Sequence, residues 1–194
     1  LFLMKLGAEI YGISLKNDDP NSLFNKLGIK KNINEKIIDI RDINLIKETI
    51  FDFSPDIIFH LAAQPIVRES YLKPVETWST NVMGTISILE ALRDSKKKVI
   101  FIGITTDKVY HNNEWIYGYR ENDRLGGTDP YSSSKAATEL AINSWKKSFA
   151  YDKDLHISSA RAGNVVGGGD YSKDRIIPDI FRSLKQNKVL CIRN

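Results

Sequence analysis

The sequence predicts an α/β fold, a doubly wound parallel sheet, on three observations. β-branched apolar runs alternate with segments of helical spacing along most of the chain. The runs are apolar nearly throughout, as strands covered by helices on both faces must be. No internal repeat or low-complexity tract interrupts the alternation.

Taken in order, "LFLMKLG" reads as the tail of a helix closed by Gly7. Strands are expected at 8–15, 36–40, 56–63, 98–105 and 156–166, each rich in Ile, Val or Phe and bounded by polar or turn residues. Helices are expected at 42–53, with Asp42 as cap, at 74–95, and at 130–150, entered through Pro130. A sheet of this kind that binds nucleotides normally opens with a strand and a G-x-G-x-x-G turn, whose amides hold a pyrophosphate at a helix N-terminus. This chain has neither, so the first strand and Gly-rich turn are expected to be missing by truncation, with a divergent start as the alternative.

Composition narrows the function classes. A chain of 194 residues, 42% hydrophobic, can bury one sizeable core. Its net charge of +4 is spread among 24 acidic residues, which predicts mild attraction for phosphates and speaks against a nucleic-acid groove. The single cysteine, Cys191, excludes an internal disulfide framework and fits a reducing compartment. His60, His111 and His156 lack metal-ligand spacing, and no run approaches the roughly 18 apolar residues of a membrane span. A cytoplasmic, metal-free protein is expected.

Ligands in such sheets lie beyond the carboxyl ends of the strands, which directs attention to "DIRD", "HLAAQ", "TTDKVY" and "RAGNVVGGGD". Tyr131 and Lys135 stand four apart, on one helix face, so that a fixed cation can favour the phenolate of a tyrosine acting as base. Alone, that pair equally describes a half-buried tyrosine beside a solvated lysine. Thr106 and Asp107 at a strand end, "HLAAQ" at the preceding one, and Asn81 in the helix between change the balance. His60, on an apolar strand, reads as a core histidine with its hydrogen bond satisfied.

"HLAAQPIVRESYLKPVETWSTNVMGT", "TTDKVY", "GYRENDRLGGTDPYSSSKAATE" and "RAGNVVGGGDYSKDRIIPDIFR" together resemble the extended short-chain dehydrogenase/reductase family and, within it, the nucleotide-sugar 4,6-dehydratases of the CDP-glucose group. The resemblance runs from Gly7 to the end. It implies a Rossmann-like NAD-binding domain over 1–166, incomplete at its start, and the beginning of a nucleotide-sugar-binding region over 167–194, incomplete at its end. The implied reaction is NAD-dependent oxidation at C4 of the hexose, loss of water across C5 and C6, and return of the hydride to C6. By resemblance, Tyr131 is the O4 base, Lys135 assists it and binds the nicotinamide ribose, and Thr106 hydrogen-bonds O4. Many relatives read Thr-Asp-Glu at the strand end, whereas here the third residue is Lys108. Asp107 is then the expected general acid, and Lys108 the C5 base or the group that stabilises the enolate. A basic role for Lys108 would need burial to lower its pKa from about 10.4.

The resemblance also places Asp39 and Ile40 against adenine, Leu61, Ala62 and Ala63 along the cofactor, and Asn164 near the nicotinamide and the sugar. It favours Asn81 as a helix-kinking or water-holding residue over a packed amide. Arg175 is the expected phosphate contact, since a guanidinium pairs bidentately with phosphate oxygens. Arg68 and Ser70 are weaker sugar contacts, and Gly167, Gly168 and Gly169 allow close ligand approach or form a plain loop. Ser14, Leu15 and Lys16 offer no carboxylate for the adenosine ribose, so NAD rather than NADP rests on the resemblance and its redox-neutral cycle. The implied partners are CDP-glucose and a second copy of the chain, a homodimer through helices 75–95 and 131–150, with no nucleic acid and no membrane. A dehydratase of another nucleotide-sugar, a 4-epimerase, and a non-catalytic nucleotide-binding module remain alternatives.

Overall fold

The strands pair in two ladders in the computed structural model, which describes every residue except 152, 153, 173, 191, 193 and 194. The reading of Cys191 therefore lies outside the described residues. β1 (Tyr11–Ser14) pairs with β2 (Asn34–Ile37). Ile10 O accepts from Asn34 N–H at 3.1 Å and Ser14 O from Ile38 N–H at 3.0 Å, so the two strands run the same way. The second ladder is parallel, in the order β3 (Ile57–His60), β4 (Val99–Thr106), β5 (Leu155–Ala162). Its register sets Ile57 opposite Ile100 and Val99 opposite Leu155.

Local chemistry explains most helix ends. α1 (Phe2–Lys5) is followed by Gly7 at φ +81°, a left-handed turn that favours glycine. α2 (Leu23–Lys26), capped by Ser22, and a 3₁₀ turn over Ile29–Asn32 fill a stretch the sequence left unassigned. In α3 (Ile43–Phe53) the Asp42 carboxylate accepts from the N–H groups of Asn44 and Leu45, both at 3.1 Å. The helix expected at 74–95 is three pieces: α5 (Pro74–Trp78), a π-helical turn over Ser79–Met83, and α6 (Gly84–Arg93). Before it lies α4 (Val67–Leu72), which the sequence reads as loop. α7 (Pro130–Phe149) matches its expected span, and α8 (Ile176–Lys185) follows β5.

The chain divides into two compact units: Leu1–Gly12 with Lys16–Lys36 and Asn164–Asn194, and Ile13–Leu15 with Ile37–Gly163. The second unit holds the described core. Ile46, Ile88, Leu89 and Leu92 pack with Val99 and Phe101 of β4, Ile142 of α7, and Leu155 and Ile157 of β5. α6 approaches β2's exit so closely that a Cβ on Gly84 would stand 2.4 Å from Ile40 Cδ1. His60 is a core residue as expected: buried, hydrogen-bonded through Nε2 to Thr85 Oγ1 at 2.9 Å, its pKa pushed down to about 4 by burial and then by the charge of Lys135. Among the described residues no helix is long and apolar enough to cross a membrane.

Candidate active site

The site grows from the carboxyl end of β4. Thr106 is the last residue of that strand, and Asp107–Val109 turn immediately into a 3₁₀ helix. The Thr106 hydroxyl donates to Asp107 Oδ1 at 3.0 Å and accepts from Lys108 N–H at 3.3 Å. The other carboxylate oxygen, Oδ2, lies 3.7 Å from where a Cβ on Gly163 would stand, so β5 leaves its ladder beside Asp107. Asp107 and Lys108 are both exposed. Lys108 therefore stands at a turn in solvent, without the burial that a basic role was expected to need.

α7 supplies the second half. Its start is fixed by Asp129, whose carboxylate accepts from the N–H groups of Tyr131 (2.9 Å) and Ser132 (3.0 Å), with Ser132 Oγ returning the bond in a capping box. Pro130 occupies the first turn, where its missing N–H costs nothing. Gly127 lies flat on that turn: a Cβ there would meet the backbone of Ser132 and Ser133 at 2.3–2.4 Å. Tyr131, half-buried, thus projects from a helix end held on three sides.

One turn on, Lys135 is only 6% exposed and donates from Nζ to the Ile104 carbonyl of β4 at 3.0 Å. Burial pushes its pKa down to about 8, against the opposing pull of Glu139. The expectation of a solvated lysine beside a tyrosine is therefore set aside, and the pair is built into the fold.

Two features escaped the sequence. Glu139, also 6% exposed, accepts from Thr105 Oγ1 on one oxygen (2.5 Å) and from Ser159 Oγ (2.9 Å) and Arg161 NH2 (3.1 Å) on the other. Burial raises its pKa, but these donors outweigh burial and hold the carboxyl below its ordinary range. The second is the π-helical turn around Asn81. The Asn81 carbonyl there accepts from Thr85 Oγ1 (2.7 Å) and from Thr138 Oγ1 of α7 (3.0 Å). Its side chain accepts from Gln64 N–H at 2.8 Å and donates to Gln64 O and to Ser134 Oγ. Asn81 is thus a packed amide, the alternative to a helix-kinking or water-holding residue, and joins the exit of β3 to the face of α7 between Tyr131 and Lys135.

The remaining predicted residues are placed unevenly. Asp39, after β2, is half-buried and chelated by Arg41, whose guanidinium donates to both of its oxygens and lowers its pKa. Ile40 is 7% exposed and packed under Gly84, so a ligand contact at that position falls to its backbone. Leu61 is exposed and Ala62 and Ala63 are half-buried along the β3 exit. Arg68 is exposed on α4, whereas Ser70 is fully buried and donates to Val67 O at 2.6 Å, which removes it from reach of a sugar.

Asn164 and Arg175 belong to the other compact unit. Asn164 is exposed, and Arg175 pairs with Asp170 at 3.5 Å just before α8. Of the three glycines, Gly169 has φ +85° and a Cβ there would strike Leu23, while Gly167 and Gly168 face open space. Among the described residues no group of three His, Cys, Asp or Glu side chains is placed to hold a metal ion.

Comparison with known proteins shows the fold and the family. In solved structures the fold recurs in the UDP-glucose 4-epimerase of Thermotoga maritima with UDP-glucose (TM-score 0.82, 20% identity, 96% of this chain and 58% of that one). It recurs again in a double mutant of DesIV, a dTDP-glucose 4,6-dehydratase from Streptomyces venezuelae with NAD bound (TM-score 0.79, 22% identity, 94% and 54%). In sequence, a CDP-glucose 4,6-dehydratase of Salmonella typhimurium is 45% identical over 100% of this chain and 55% of its own length. A dTDP-D-glucose 4,6-dehydratase of Dictyostelium discoideum is 33% identical over 97% and 45%. The chain thus spans about half the length of the curated relatives it matches. A family model described as GDP-mannose 4,6 dehydratase matches residues 1–190, and with the Tyr131–Lys135 helix set against the end of β4 the chain belongs to that family.

Proposed function

We propose that the full-length protein dehydrates a nucleotide-hexose, CDP-glucose foremost, to its 4-keto-6-deoxy product with NAD as resident cofactor. The observation that carries the reading is the buried ammonium of Lys135 one helical turn beyond Tyr131 and bonded to the strand that ends in Thr106 and Asp107. The 45% identity to a CDP-glucose 4,6-dehydratase supports the choice of nucleotide. A family pattern with an acid and a base adjacent at the strand end favours elimination over epimerisation, which needs no such pair.

NAD fits the residues present. An ammonium has three N–H donors, and among the described residues Lys135 shows one hydrogen bond, to Ile104, leaving donors to offer to the nicotinamide ribose. The β3 exit presents Leu61, Ala62 and Ala63, where the two alanines allow close approach, and Asp39 with the Ile40 backbone would take the adenine. Bound there, the nicotinamide supplies reversible hydride acceptance. Tyr131 takes the proton from O4, the charge of Lys135 stabilises its phenolate, and the Thr106 hydroxyl, turning from Asp107 Oδ1, hydrogen-bonds O4. Asp107 delivers a proton to the departing C6 hydroxyl, and Lys108 takes the proton from C5. In this reading residues 1–166 belong to the cofactor half and 167–194 begin the sugar half, where Arg175 would meet a phosphate.

The test is mass spectrometry of the full-length protein incubated with NAD and, separately, CDP-, dTDP-, UDP- and GDP-hexoses. Loss of one water from CDP-glucose alone is expected. Loss from another nucleotide only would reassign the substrate, and isomerisation without water loss would make the protein an epimerase.

A homodimer in the cytoplasm completes the proposal. Val75, Trp78 and Met83 of the α5–α6 stretch and Leu140 of α7 are exposed large apolar groups on the two helices expected to pair. Cys191, alone in the sequence, suits a reducing compartment. Sedimentation of the full-length protein from a cell lysate should give a dimer in the soluble fraction, and a monomer or a membrane pellet would count against it.

A further inference from the structure

Buried Glu139 and half-buried Arg161 form an ion pair at 3.1 Å, and a largely desolvated pair of this kind contributes little net stability over an apolar packing of equal volume. What distinguishes it is location. Through Thr105 it grips β4 one residue before Thr106, and through Ser159 and Arg161 it grips β5. Its own backbone lies one helical turn beyond Lys135 on α7. Arg161 carries the connection outward, donating from NH1 to Glu121 O at 2.9 Å and lying 4.8 Å above the Tyr110 ring. Tyr110 stacks on Tyr119 at 5.0 Å, and the 110–126 segment is closed on itself by His111 N–H to Arg124 O and tied to the turn after β4 by Gly126 N–H to Val109 O, both 2.8 Å.

We infer that Glu139 and Arg161 are a positioning pair for the proposed dehydration: together they fix the distance between the proton acceptor on α7 and the Thr106–Asp107 strand end, and hold the 110–126 segment over it. This rests on the functional reading above and names residues that reading does not use. Misplacement by about 1 Å can cost on the order of 10²-fold in rate, so a pair that sets the spacing of two elements acts on turnover, not on substrate affinity.

The full-length protein carrying Glu139→Gln, Arg161→Met, or both tests this. Each single change is expected to lower kcat by at least about 10-fold, at the lower end of that range, with KM within about 3-fold. The double variant is expected to be no slower than the slower single one, because the two residues act as a unit. In the same variants, without substrate, the amides of His111 and Gly126 should exchange faster with solvent. If Glu139→Gln fails to fold, Ser159→Ala removes one donor and should show the same pattern in smaller measure. Unchanged kcat in both singles, or losses that multiply in the double, would overturn the inference. Should the unaltered protein dehydrate no nucleotide-hexose, the functional reading falls by that result alone, and exchange decides the anchoring: unchanged amide rates would overturn it too.

Discussion

Full-length protein carrying Lys108→Met is expected to oxidise its nucleotide-hexose at C4 and stop there, with elimination slowed by roughly 10²–10⁴-fold, the usual contribution of a positioned proton-transfer group. The argument starts from the strand end. Thr106 donates to Asp107 Oδ1, which leaves Oδ2, on the side where β5 exits at Gly163, as the oxygen placed to carry a proton. Lys108, next in the 3₁₀ turn, presents an amine of opposite proton need. Both side chains are exposed, so the desolvation that would ready them for exchange of roles must come from the bound sugar. Reaction in deuterium oxide separates the two steps. Lys108→Met should give 4-keto sugar without deuterium at C5, whereas Asp107→Asn should give deuterium at C5 without loss of water. Full elimination by Lys108→Met in a single turnover would sink the base assignment and the enolate-stabilising role together.

How much of this was legible beforehand varies with the range of the forces involved. Asp42 and Asp129 act on amides two and three residues away, so α3 and α7 can be placed from their caps alone. The strands show as apolar runs, but their ends do not: only Tyr11–Ser14 of the run at 8–15 forms a strand, because its extent depends on what β2 offers opposite. α4 has no side-chain cap and six residues, too short for periodicity to register. α8 carries Pro178 within its first turn, which a helix tolerates there and a reader takes for a break.

The site divides along the same line. Tyr131, Lys135, Thr106 and Asp107 show as motifs, whereas Glu139 looks like the solvated partner of an i,i+4 pair with Lys135. Its burial is decided by Ser159 and Arg161, on a strand the chain reaches only after α7 has ended. Ser70 errs the other way, a polar residue beside a motif whose hydroxyl is spent on its own helix. The π-helical turn has no local signature beyond a mid-helix Asn81, whose carbonyl takes a hydroxyl from Thr138 on a different helix.

Lys135→Met should make the full-length protein nearly inactive and, at neutral pH, more stable. The amine's pKa falls from 10.5 to about 8 on folding, chiefly through burial. Between those values the unfolded chain holds a proton that the folded chain does not, so this group makes stability rise with pH from about 8 to about 10.5. Below pH 8 the whole penalty is present, about 3 kcal/mol at 1.36 kcal/mol per unit. Loss of the bond to Ile104 O offsets about 1 kcal/mol of it in the variant. Denaturant unfolding at pH 7 should therefore favour Lys135→Met by about 1–2 kcal/mol, with the advantage shrinking as pH rises through 8 toward 10.5. The kcat/KM of the unaltered protein should fall over the same rise as the ammonium loses its proton, and Lys135→Met should lack that fall on a rate lower by roughly 10²–10⁴-fold. A variant less stable than the parent at pH 7 would show that Glu139 compensates the buried charge in full. A variant of undiminished rate would remove Lys135 from the chemistry altogether.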